Sequence, residues 1–255
     1  MIWVAGLLVL SLAVGSALLM WATRWGSTPA ESVCELPGDE YLEGGPAARV
    51  TMTRSITIGA PPERVWPWIA QLGRGAGWYS IDWLDNGRKT SAWHIVSWIP
   101  EPRLGDATAT GYLRHLDVGR SLAWWVDGAP FVRSRTRLVM YYGLESEGQG
   151  TRLIGRNSAD ASGPTGYIAL WVFRVLDSVM ARRQLLGLRD RVEACEEGRG
   201  SPGDSETGAR DQYQLYEVLY ATGESAGIAG KEHGARWRQE AIDNGILQIQ
   251  SPPDD

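Results

Sequence analysis

The chain has 255 residues, 44% of them apolar, enough to build a proper core and too many for a disordered protein. Residues 196–255 carry 5 basic and 12 acidic side chains, whereas the preceding 195 residues hold 20 and 18, so an acidic tail follows a near-neutral body. That balance lacks the basic footprint of phosphate-backbone binding and argues against a nucleic-acid partner, and two cysteines exclude a multi-bridge scaffold or a Cys-rich metal site.

The chain opens with 21 uncharged residues, Ile2 to Ala22, which as a helix match a hydrocarbon core of about 30 Å. Trp3 and Trp21 stand at the two ends, where indole favours the membrane interface. No Lys or Arg precedes the run and no clean Ala-x-Ala follows it, which favours a retained single-pass anchor over a cleaved signal peptide. Arg24, the first charged side chain, leans toward a cytoplasmic body. Residues 1–25 are therefore expected as a transmembrane helix, and residues 26–48, with Pro29, Pro37, Gly38, Gly44, Gly45 and Pro46, as a linker.

From Val50 to Ile58, Val50, Met52, Ile56 and Ile58 alternate with Thr51, Thr53, Ser55 and Thr57, which predicts a strand whose apolar face has one exception, Arg54. Ala60-Pro61-Pro62-Glu63-Arg64-Val65-Trp66 predicts a helix start, with Pro67 kinking or shortening the helix. Six of the 13 tryptophans fall between Trp66 and Trp98, against two Phe in the whole chain, a composition suited to a pocket that is greasy but not wholly dry. Strands are expected at about 106–116, 120–126, 132–145 and 151–160, joined by short Gly-containing turns in an antiparallel meander. From Gly166 to Glu193 the period becomes helical, with Ile168, Trp171, Val172, Val175, Val179 and Leu186 forming a stripe that would need a whole sheet to cover it. The fold class is α+β with one concave sheet. Residues 196–211 read as a flexible linker within an acidic tail, where Tyr213, Tyr216 and Tyr220 lie on a short amphipathic segment.

Several of these residues resemble the START-like group, also called SRPBCC or polyketide cyclase and dehydrase-like. They are Leu36-Pro37-Gly38-Asp39, Ser55-Ile56-Thr57-Ile58 with the Ala60–Trp66 start, Gln71-Leu72-Gly73 with Gly77–Trp83, Gly105-Asp106, and Met180–Gly187. The resemblance covers about residues 37–195 and implies a helix-grip in residues 49–195: a curved antiparallel sheet wrapped around the long C-terminal helix, enclosing a hydrophobic cavity. It further implies a hydrophobic ligand, such as a lipid, quinone or polyketide-like molecule, and no cofactor. The anchor and the tail fall outside it.

Asp82, between Tyr79, Trp78 and Trp83, is either a general base with a raised pKa or a turn cap. Tyr79 could hold a ligand oxygen, and His94, beside Trp93, is the histidine best placed for proton transfer. Trp78, Tyr79, Asp82, Trp83, Trp93 and His94 form the expected ligand-binding set, covering one mouth of the cavity; Trp66 and Trp68 read as packing. No spacing predicts a metal site. Arg133, Arg135 and Arg137 share a strand face that is solvated or guides an anionic headgroup. The leading expectation is a membrane-tethered binder or presenter of a hydrophobic molecule. The alternatives are a cyclase or dehydratase using Asp82, Tyr79 and His94, and a protein-interaction module acting through the tail. Cys34 and Cys195 leave one disulfide conceivable.

Overall fold

The computed structural model describes residues 2–42, 49–86, 88–96, 99–106, 111–127 and 136–197. The acidic tail beyond residue 197, Trp98, Arg133 and Arg135 lie outside the described residues. Helix α1 (Ile2–Thr23) leads into a short helix α2 (Pro29–Val33) and a 3₁₀ turn (Asp39–Tyr41). Strand β1 (Arg49–Ile58), α3 (Pro62–Ala70) and α4 (Asp82–Asp85) follow. The chain then meanders through β2 (Tyr112–Asp117), β3 (Ser121–Asp127), β4 (Thr136–Glu147) and β5 (Gly150–Ala161) and ends in the 34-residue α5 (Gly163–Glu196). The five strands form one antiparallel sheet in the order β1-β5-β4-β3-β2, so the first strand closes against the last. Pro67 leaves α3 only nine residues long, as a missing N–H inside a helix should.

Register sorts the sheet into two faces, because directly opposed residues point the same way. Arg54 opposes Gly155, which opposes Tyr142, and Tyr142 opposes Leu122. These four positions, with Ile56, Leu153, Leu144 and Trp124, look inward to α3 and α5. The inward face of α5 carries Leu170, Asp177, Gln184, Leu185, Leu188 and Val192. Here the structure corrects the expected stripe: Ile168, Trp171, Val172, Val175 and Val179 do not meet the sheet but are exposed. The helix is apolar on two sides along its first half, and periodicity alone cannot tell which side the sheet takes.

The outer face is covered as well. Residues 26–42, expected as a free linker, are a strap docked on β1, β5 and β4. A capping box, in which Thr28 and Glu31 exchange hydrogen bonds, starts α2. Arg152 then takes Glu31 in a two-pronged ion pair at 2.8 and 2.9 Å. Arg156, buried, donates to Thr53, to the Cys34 carbonyl and to Asp39. Further along, Leu36, Tyr41 and Leu42 pack over Ala123, Trp125, Val139 and Tyr141. Gly38 sits at φ 102° where a Cβ would lie 2.6 Å from Val139, so only glycine lets the strap approach this closely. Cys34 and Cys195 are free and exposed, so no disulfide closes the fold.

The Glu31 pair makes the strap pH-sensitive. Hydrogen bonding to Arg152 holds the Glu31 carboxyl down at about 2, from 4.5. A depressed carboxylate pKa contributes stability above the unfolded value and loses it as pH falls toward the folded one. We therefore expect Glu31→Gln to cost about 1–2 kcal/mol at neutral pH. In urea titrations the gap between the two proteins should narrow below pH 4.5 and close near pH 2.

Candidate functional site

Beneath the middle of α5 the interior is polar. Arg54, 1% exposed, pairs with Asp177 of α5 at 2.7 Å. Asn157 donates to the other carboxylate oxygen at 2.6 Å, and the Arg54 Nε donates to the carbonyl of Ala22 at the end of α1. Next to them the Tyr142 hydroxyl donates to Gln184 at 2.7 Å. Burial pushes the Asp177 carboxyl upward against the pull of Arg54, and pushes the Tyr142 hydroxyl up too. A cavity of about 10 Å³ lies among Arg54, Tyr142, Gly155, Asn157, Ala181, Gln184 and Leu185, room for about one water. This is the place between sheet and helix where an enclosed hydrophobic cavity was expected. Among the described residues it is nearly filled, because Arg54, Tyr142, Asn157 and Gln184 occupy the space.

The tryptophan-rich segment is organised by Gln71, which the sequence marked only as part of the resemblance, and by Arg74, which was not among the expected site residues. Gln71, at the end of α3, donates to the Tyr79 hydroxyl at 2.7 Å and to the carbonyl of His94, and accepts from the Val96 N–H. Arg74 donates to the carbonyls of Ala70 and Pro100 and pairs with Asp106 at 2.7 Å. Trp68 and Tyr79 meet edge to face with ring centres 6.0 Å apart, and Trp66 and Trp78 are buried in the same core. Tyr79 holds φ 59°, a left-handed conformation uncommon for a tyrosine. Arg191 of α5 lies over the rings of Trp93 and Tyr79, at 4.3 and 4.9 Å, and donates to the Ala92 carbonyl.

The residues of the expected ligand-binding set differ in exposure and in partners. Trp78 and Tyr79 are packed into the core, Trp93 stacks under Arg191, and Trp83 is 68% exposed. His94 is half-buried, with no acceptor or donor at Nδ1. Asp82 accepts from the N–H of Ser91 at 3.1 Å and from its hydroxyl at 2.5 Å. It closes the turn to Ser91, the capping role that the sequence left open beside that of a general base. Of the three arginines on one strand face, Arg137 is described, and it is paired with the buried Asp160 at 3.1 Å. No group of three potential metal ligands is assembled among the described residues.

One turn beyond Asp82 stands Asp85, whose Oδ1 is buried without a hydrogen-bond partner. Burial, with help from the nearby Asp82 charge, raises its carboxyl to about 6 from 3.8, and its charge reaches Tyr142. A raised carboxyl pKa means that stability falls as pH rises from about 4 to about 6 and stays reduced above that. Asp85→Asn is expected to stabilise the fold by about 1 kcal/mol at pH 7.5 and to make no difference at pH 3.5. Thermal melts at the two pH values check this.

The antiparallel sheet and long C-terminal helix fit the helix-grip arrangement of START-like proteins. The chain is similar to several solved structures. Protein MLL2253 from Mesorhizobium loti is 16% identical, with 56% of this chain matched to 97% of that one at a TM-score of 0.35. Ara h 8.0201 is 10% identical, with 57% of this chain matched to 99% of that one at 0.37. The di-domain ARO/CYC StfQ from the steffimycin biosynthetic pathway is 12% identical, with 59% of this chain matched to 52% of that one at 0.39. No family model matches the sequence, and no curated protein matches it.

Proposed function

We propose that this protein is held at a membrane by residues 2–22 and binds an amphiphilic small molecule between α5 and the sheet. The molecule is lipid-, quinone- or polyketide-like. Its polar end rests on Arg54, Tyr142, Asn157 and Gln184, and its apolar part lies along the inner face near Leu185. The observation that carries this reading is the cavity beneath α5, lined by four polar side chains inside an otherwise apolar core. Burying an ion pair and amides there costs desolvation that apolar residues of the same volume would avoid. A ligand head group would make use of those donors and acceptors. The cavity of about 10 Å³ is far below the few hundred Å³ of a small-molecule pocket, so binding requires α5 to lift from the sheet. The Arg54–Asp177 pair and the Tyr142–Gln184 hydrogen bond, which join the sheet to α5, are among the contacts that must give way.

The tether is the second half of the proposal. Among the described residues no helix is long and apolar enough to cross a membrane. The transmembrane helix expected for residues 1–25 is thus not supported by the structure, and the tether rests on sequence alone, the uncharged run from Ile2 to Ala22. Alkaline carbonate washing of membranes from cells expressing the full chain tests the tether, which expects the protein in the pellet. Mass spectrometry of organic extracts from the purified full chain tests the ligand. An amphiphile enriched over the surrounding lipid is expected, and an extract no different from bulk membrane lipid would count against binding.

A further inference from the structure

The outward face of α5 changes character halfway along. Ile168, Trp171, Val172, Val175, Leu176 and Val179 are exposed and repeat every three or four residues, forming one apolar stripe about 16 Å long. The stripe's next positions are Arg182 and Arg183, both exposed, and beyond them comes Asp190. A helix that covers a sheet in water turns its polar side outward, as the second half of α5 does and the first half does not. Soluble monomers rarely leave a contiguous apolar surface of this size uncovered.

Helix α1 has its own boundary at the same level. It carries no charge from Ile2 to Thr23, and the residues Ala13–Leu18 are exposed on every side of it. Its last turn packs against α5 and β1, where the Ala22 carbonyl accepts from Arg54, the partner of Asp177. Just after the boundary, Trp25 lies under the guanidinium of Arg182 at 4.9 Å. The first charges after the two apolar segments, Arg24 on one and Arg182 on the other, are thus brought to one level by a direct contact. A second protein copy could cover the stripe from one side. It could not cover a helix exposed all round, which needs a solvent that is itself apolar.

We infer that the first half of α5 is embedded in the bilayer that α1 enters, with Arg24, Arg182 and Arg183 at the level of anionic lipid phosphates. This rests on the proposed tether and adds a second contact that fixes the orientation of the whole domain. The cavity residue Ala181 is one position before Arg182, so the gap beneath α5 lies at the same height along the helix as the proposed head-group boundary.

The test uses the full chain with Cys34→Ser and Cys195→Ser, and single cysteines introduced as Leu18→Cys, Val172→Cys or Val118→Cys. Each is labelled with bimane and reconstituted into phosphatidylcholine–phosphatidylglycerol vesicles with or without bromine on the acyl chains. Val118 is exposed in the β2–β3 connection and serves as the reference. Brominated lipid is expected to quench the labels at 18 and 172 and to leave 118 unchanged. Quenching at 18 alone overturns the embedding of α5 and leaves the tether standing. No quenching at any site overturns both. Excimer emission from a parallel sample carrying pyrene at 172, without lipid quenching of the bimane there, identifies a second copy as the occupant and also overturns the inference.

Discussion

Asp177→Ala is expected to lower the stability of the domain by about 3–5 kcal/mol, the largest effect of any single substitution away from the aromatic core. The carboxylate is buried and neutralises Arg54, which is 1% exposed. Without Asp177 the guanidinium stays buried and keeps only the Ala22 carbonyl and the weak Met52 sulfur as partners. Arg54→Met should be similarly costly, because it leaves Asp177 buried with only Asn157. The double variant Arg54→Met/Asp177→Leu removes both charges and restores packing. It should recover most of the loss and stay within about 1–2 kcal/mol of the parent, the remainder reflecting the stranded Asn157 amide. Urea unfolding of the four proteins in one detergent completes the cycle. Additive losses in the double variant would mean that the two residues do not act as a pair.

Arg156→Ala is the second large effect, expected at about 2–4 kcal/mol and directed at one segment. This arginine is buried on the outer face, is fixed to Thr53 of β1, and holds the strap through Asp39 and the carbonyls of Glu31 and Cys34. Its removal should release residues 28–42 and uncover Trp125 and Tyr141. The reporter is proteolysis: cleavage within the strap should accelerate well before the sheet unfolds. Arg156→Lys should rescue little, since one ammonium cannot reproduce the planar fork that reaches Thr53, Asp39 and two strap carbonyls at once. An unchanged cleavage rate would mean that apolar packing alone retains the strap.

Much of the scaffold was legible from local pattern. Alternation of two placed β1, the Pro-Pro-Glu start placed α3, and the glycine turns placed the meander. These signals are local, and so is the physics that produces them. Arg54 stood out in the sequence as a charge on an apolar strand face. Its partner Asp177 did not, because it is 123 residues away and reads as an ordinary polar position between Leu176 and Ser178. The strap was hidden for the same reason: Pro and Gly between residues 26 and 48 describe a linker until Arg152 and Arg156 are known to point outward. Asp82 drew attention through its aromatic neighbours, but its capping by Ser91 depends on a loop closure that spacing does not encode. Asp85, one turn later, has the buried and unpartnered oxygen. On α5, the period of 3.6 identified the helix correctly and assigned its exposed apolar stripe to the sheet, because the helix is apolar on two sides and hydropathy does not tell which side the sheet takes.

The central claim is that the polar centre beneath α5 serves to bind a ligand and is not simply a stabilising element. The wild-type chain and the Arg54→Met/Asp177→Leu variant separate these roles, because the variant should fold while losing the charges that would receive a head group. Both are to be purified from the same membranes in the same detergent, and their organic extracts compared by mass spectrometry. The expected result is an amphiphile enriched on the wild type and absent from a folded double variant. Equal occupancy of the two proteins, or no enriched species on the wild type, would contradict the claim.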